Sequence, residues 1–219
     1  GSTGDPRHLP LMIQALYDPG SQSAAMSALI AAGEPAVAAV DKALSDPNLP
    51  RAVRLELPRT LSRIPADSSF SILAKHMENP DSHMRLRVYA ALGRLRSALG
   101  RAPLPASELV PRIRREVLEA CGNMRAWTQA RPRFETMLLA EAFDVRERRA
   151  ERRIMRLLEM SYPLKDVSLI LTALADPDRR PDALEALDEL LHPALRELII
   201  PLLEDRSEPS SLPISEDVA

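Results

Sequence analysis

The chain has 219 residues and a formal net charge of −2, enough length for one extended repeat domain or one large globular domain. It is 45% hydrophobic but only 3% aromatic, so Leu and Ala must build the core, and the lack of alternating β-branched runs argues against a sheet. The single cysteine, Cys121, excludes an internal disulfide and favours a reducing compartment, and no apolar run approaches the roughly 18–20 residues of a membrane span.

Gly1-Ser2-Thr3-Gly4 reads as the remnant of an expression tag, so residues 1–7 are expected to be a tag or flexible start before a repeat domain over 8–205. Residues 8–17 predict a short helix that stops at Asp18-Pro19-Gly20. The next helix carries Met26, Leu29 and Ile30 on one face, and Gly33 breaks it. Glu34-Pro35 restart a helix whose face is Val37, Val40 and Leu44, and Asp46-Pro47 close the unit.

A second unit follows with helices over 51–64 and 68–79, the first interrupted by Pro58 and the second closed by Asn79-Pro80-Asp81. A third begins with a helix over 83–99. Aligning Arg54 with Arg85 sets Val53 on Met84, Leu55 on Leu86, Leu57 on Val88, Leu61 on Leu92 and Ile64 on Leu95. A recurrence of about 31–33 residues is the mark of stacked helix pairs, because one pair cannot bury its apolar side alone.

Residues 102–106 read as a Pro-rich linker. A helix is predicted over 107–127, with Ser107 as N-cap, Glu108 in the first turn and Gly122-Asn123 as a weak point. One long helix is predicted over 133–160. Its apolar face is Phe134, Met137, Leu138 and Ala142 early, then Ala150, Ile154, Leu157 and Leu158 late. Residues 175–205 read as a turn, a helix carrying Leu184, Leu187 and Leu191, a break, and a helix carrying Leu195, Leu198, Ile199 and Leu202. Residues 206–219 are polar with two Pro and are expected to be a flexible tail or linker.

The Asp/Asn-Pro turn followed by Met84-Arg85 and Ala90-Ala91-Leu92-Gly93-Arg94-Leu95 resembles the HEAT repeat family over about residues 21–98 and 164–205. The resemblance implies an all-α fold, a HEAT-like α-solenoid of about five antiparallel helix pairs, here with one long central helix. Arg153-Ile154-Met155-Arg156-Leu157-Leu158, Tyr162-Pro163 and Asp166-Val167 ahead of the helix at Ala183–Leu191 resemble the HEAT region of bacterial ADP/ATP carrier-like membrane proteins. That second resemblance implies a cytoplasmic domain, tethered at the inner membrane through a transmembrane region outside this chain. Any transport or nucleotide binding would belong to those other parts.

Charge is unevenly spread. Residues 82–156 carry 17 basic and 8 acidic side chains, whereas residues 157–219 carry 5 and 14. The basic set Arg112, Arg114, Arg115, Arg146, Arg148, Arg149, Arg152 and Arg153 is the candidate partner-binding surface. Within 133–160, Asp144–Arg148 and Arg148–Glu151 are favourable spacings, while Arg148–Arg152, Arg149–Arg153 and Arg152–Arg156 repel. The leading reading is an acidic protein surface or a neighbouring domain of the same polypeptide, with anionic lipid headgroups next. A nucleic-acid-binding protein using this Arg-rich face is the alternative, weakened by a single Trp available for stacking and by the acidic C-terminal segment.

No catalytic, cofactor or metal residue is assigned. Gly33, Gly93, Gly100 and Gly122 are isolated, so no phosphate loop is formed. His8, His76, His83 and His192 lack metal-ligand spacing, and the paired His-Glu dipeptides of iron-binding HEAT enzymes are missing. Cys121 reads as a buried structural thiol, and Glu185, Asp188 and Glu189 read as solvated charge. The function expected is non-catalytic: a scaffold for protein–protein interaction or interdomain coupling.

Overall fold

A computed structural model describes residues 6–131, 137–162, 164–174, 176 and 178–204. The expectations for Gly1–Gly4, Phe134, the Met137 side chain, Pro163 and the tail 206–219 lie outside the described residues. Those described are all-α, with no strand among them. Chain contacts divide the protein into two compact units, Gly1–Ala102 and Pro103–Ala219, with the boundary falling within the Pro-rich stretch of the sequence.

In unit 1 the helices are α1 (Leu9–Ala15), α2 (Gln22–Ala32), α3 (Val37–Ser45), α4 (Arg51–Arg54), α5 (Leu57–Leu61), α6 (Asp67–Lys75) and α7 (Ser82–Ala98). Gly33 ends α2 at φ 67°, ψ −144°, a conformation open only to glycine at low cost. Pro58 does interrupt its helix. The chain opens at Leu55-Glu56 and restarts, which puts Pro58 in the first turn of α5, where no intrahelical N–H is required. Helices α2, α5 and α7 neighbour one another in series, as do α1, α3 and α6, and the two series meet at α1–α2, α3–α5, α5–α6 and α6–α7.

The 31-residue alignment carries through to burial. Val53 and Met84, Leu57 and Val88, Leu61 and Leu92, and Ile64 and Leu95 are all buried, while Leu55 and Leu86 are both half-buried. Val37, Val40 and Leu44 are buried as expected. On α2 the face is rotated: Ala25, Leu29 and Ala32 are buried, whereas Met26 and Ile30 are only half-buried. The small Ala side chains let neighbouring helices approach and leave the larger Met26 and Ile30 on the shoulder.

A second recurrence lies in the arginines that open these helices. Arg54 donates from Nε to the Leu49 carbonyl at 3.1 Å. Arg85, almost fully buried, donates from Nη1 to the Asn79 and Pro80 carbonyls at 3.0 and 3.1 Å. In unit 2, Arg180 donates from Nη1 to the Leu174 carbonyl at 3.1 Å. Each guanidinium satisfies carbonyls that the preceding turn or helix end leaves without a helical partner.

Unit 2 contains α8 (Ala106–Ala130), α9 (Met137–Leu158), α10 (Leu164–Leu174), α11 (Arg180–Leu190) and α12 (Pro193–Glu204). There are thus two long helices, not one: α8 runs straight through Gly122-Asn123, because one glycine costs about 1 kcal/mol and the turn before it is anchored by buried Ala120 and Cys121. The N-cap is Pro105, so Ser107 sits inside the first turn and does not cap. Helix α9 packs along α8, α12 packs on α8 and α11, and α10 packs on α11 and α9. Leu187, Leu191, Leu195, Ile199 and Leu202 are buried, while Leu184 and Leu198 are half-buried.

Candidate interaction surface

The basic set is carried by α8 and α9, and three contacts fix how these helices lie. Leu104 N donates to Met160 O at 2.8 Å, Arg153 Nε donates to Glu116 Oε2 at 2.6 Å, and the Trp127 and Phe143 rings meet at 4.9 Å between centroids. Residue numbers fall on one strand of these pairs as they rise on the other, so the helices form an antiparallel hairpin. At 1.5 Å per residue its arms are about 37 and 33 Å long.

The hairpin is buried only in its lower half. On α8 the buried residues are Leu109, Ile113, Glu116, Val117, Ala120 and Cys121; on α9 they begin at Ala150 and include Ile154, Leu157 and Leu158. Between Gly122 and Arg149 no described residue is buried. The late apolar face of α9 is therefore where periodicity places it. The early one is not: Leu138 is 77% exposed and Ala142 is exposed, because nothing described packs over that part of the hairpin. Trp127 on Phe143 is the ring contact that ties the two arms together there.

The eight arginines fall into different places. Arg153 is 2% exposed and lies inside the hairpin. It donates to Glu116, which is fully buried, and from Nη2 to Glu119 Oε1 at 2.9 Å. Arg115 is half-buried, with Nη2 3.6 Å from Glu116 Oε1. The buried Glu116 carboxylate is thus answered by one charge-assisted bond and a second cation nearby, and that pairing is what lets it sit out of water. Arg112 is half-buried and turns back onto the Glu108 carbonyl, while Arg114 is exposed on another side of α8.

On α9, Arg148 and Arg152 are exposed and one turn apart, and Arg156 continues the same row. Arg149 lies half-buried beside them and Arg146 is exposed. Arg148 pairs with Asp144, and Arg156 Nη1 lies 2.6 Å from Glu159 Oε2. Like charges at four-residue spacing oppose a helix by a few tenths of a kcal/mol each. Arg156, which the candidate set omits, belongs to the row by helical phase.

Other reactive groups are held in structural roles. Cys121 is buried; burial pushes its thiol up, and the charge of Arg125 one turn on only partly opposes this. Asp188 is paired with Arg196 Nε at 3.0 Å. Among the described residues no group of His, Cys, Asp and Glu is placed to hold a metal ion, and no helix is long and apolar enough to cross a membrane. The buried Glu116–Arg153–Glu119 cluster escapes sequence reading because its members are some 34–37 residues apart.

Comparison with family models, with curated proteins and with solved structures returns no match to this chain.

Proposed function

We infer that this chain is a HEAT-like α-solenoid scaffold that binds an acidic protein surface or a neighbouring domain through the outer face of α9. The observation that carries this reading is the α8–α9 hairpin. Its upper half has no buried residue among those described, yet its arms stay paired, and its exposed face carries the Arg148–Arg152–Arg156 row. Arg148 lies on the unpacked half and Arg152 and Arg156 on the packed half, which holds their helix in place, and an exposed cationic row so held is suited to meeting carboxylates on another surface. The solenoid reading draws on the two interleaved helix series of unit 1 and on Arg54, Arg85 and Arg180, each of which bonds carbonyls of the segment before its helix turn.

The resemblance over residues 150–205 further suggests the soluble HEAT domain of a larger bacterial ADP/ATP carrier-like membrane protein. Separating membrane from soluble fractions of source cells and blotting with an antibody to this domain tests that form. A large band in the membrane fraction is expected. A band near 24.2 kDa in the soluble fraction would overturn the membrane linkage and leave a free-standing adaptor.

A further inference from the structure

The half-buried Met26 and Ile30 line one wall of a groove on unit 1. The groove lies between α2 and the α5 turn, has a volume of about 430 Å³, and is also lined by Ser23, Ser27, Arg59 and Arg63. That volume lies within the range of about 300–1,000 Å³ usual for ligand pockets. Arg59 and Arg63 are exposed and make no ion pair among the described residues. The one carboxylate in the lining, Glu56, is already answered by Arg87 Nη2 at 3.1 Å. The groove therefore presents two cations on one wall and two aliphatic side chains with two hydroxyls on the other.

The geometry points to a binding site for a short extended peptide of a partner protein with the pattern acidic–apolar–acidic. Arg59 lies in α5 and Arg63 in the turn just after it, four residues on, and both line the groove. Residues i and i+2 of an extended chain project to one side about 6.6 Å apart, so two carboxylates there face the two long guanidinium side chains of one wall. The residue between them points to the opposite wall, where Met26 and Ile30 receive an aliphatic side chain. Ser23 to Ile30 covers about 10 Å of helix, the reach of three extended residues. The lining contains no aromatic ring on which a base could stack, so the fit is to peptide and not to nucleic acid. This site is separate from the α9 row and does not depend on it.

The test is titration of the ¹⁵N-labelled full chain with the peptide GELEG, followed by amide shifts. Saturable movement confined to residues 22–30 and 56–63 is expected. The scrambled peptide GEELG, whose carboxylates point to opposite walls, and the double variant Arg59→Glu/Arg63→Glu should each bind about tenfold more weakly or not at all, the variant keeping its spectral dispersion. Met26→Glu should weaken binding from the other wall. No movement at millimolar GELEG, equal response to GEELG, or movement at α9 amides instead would overturn the proposal. The last outcome would leave the α9 reading standing, whereas loss of α9 function with intact groove binding would do the reverse.

Discussion

Replacing Arg153 by Met is the sharpest probe of the hairpin. The side chain is 2% exposed, and its partner Glu116 is fully buried, so Arg153→Met keeps most of the aliphatic stem while stranding a carboxylate out of water. Breaking a buried pair from one side costs about 3–5 kcal/mol, of which the loss at Glu119 is the minor part because that residue reaches solvent. For a unit of this size the loss corresponds to a melting shift of roughly 10–20 °C. Removing both charges, Glu116→Met with Arg153→Met, leaves no buried charge at this pair and should return stability to within about 1–2 kcal/mol of the parent. Urea unfolding read by Trp127 fluorescence follows unit 2 alone, since this is the only Trp in the chain. A single variant within about 1 kcal/mol of the parent, or a double variant no better than the single, would refute the reasoning.

Gly33→Ala should destabilise unit 1 by about 1–3 kcal/mol in thermal melts, purely through backbone conformation, since nothing lies within 4 Å of the added Cβ. Asp81 accepts from His83 N at the start of α7 and pairs with Arg51 at 2.7 Å, and that pairing holds its carboxyl below the usual 3.8. Its contribution is therefore present above the unfolded value and lost as pH falls through the folded one. Asp81→Asn should remove part of the acid-dependent loss of stability seen by circular dichroism and cost about 1 kcal/mol at neutral pH. Cys121 should resist Ellman's reagent in the folded chain and react at the rate at which unit 2 opens, and fast reaction without denaturant would contradict its burial.

The helix order and the buried stripe of α5 and α7 were readable because apolar spacing at 3.6 residues per turn directly reports the face that packs. The hairpin was harder. Gly122-Asn123 looks like a stopping point, but propensity is a weak prior once a helix is anchored by packing, and Cys121 sits on that anchored face. Leu138 looks like core because it is Leu, yet no described element covers it. Arg153 is hidden among like neighbours in a charged run. Its phase, three residues after Ala150 and four before Leu157 on the stripe of Ile154, marks a buried guanidinium that needs acceptors, but that these are Glu116 and Glu119 rather than carbonyls, as for Arg85, is given only by the fold. Met26 and Ile30 look like core for the same reason as Leu138, yet they are only half-buried and line the groove.

The most direct test of the scaffold reading places a photo-cross-linking residue at Arg152 on α9, with Arg114 on another side of α8 as the control, in source cells. A discrete protein adduct from position 152, weak or missing from position 114 and lost when Arg148 and Arg156 are changed to Glu, is the predicted result. No adduct from position 152, or an adduct that nuclease removes, would contradict it.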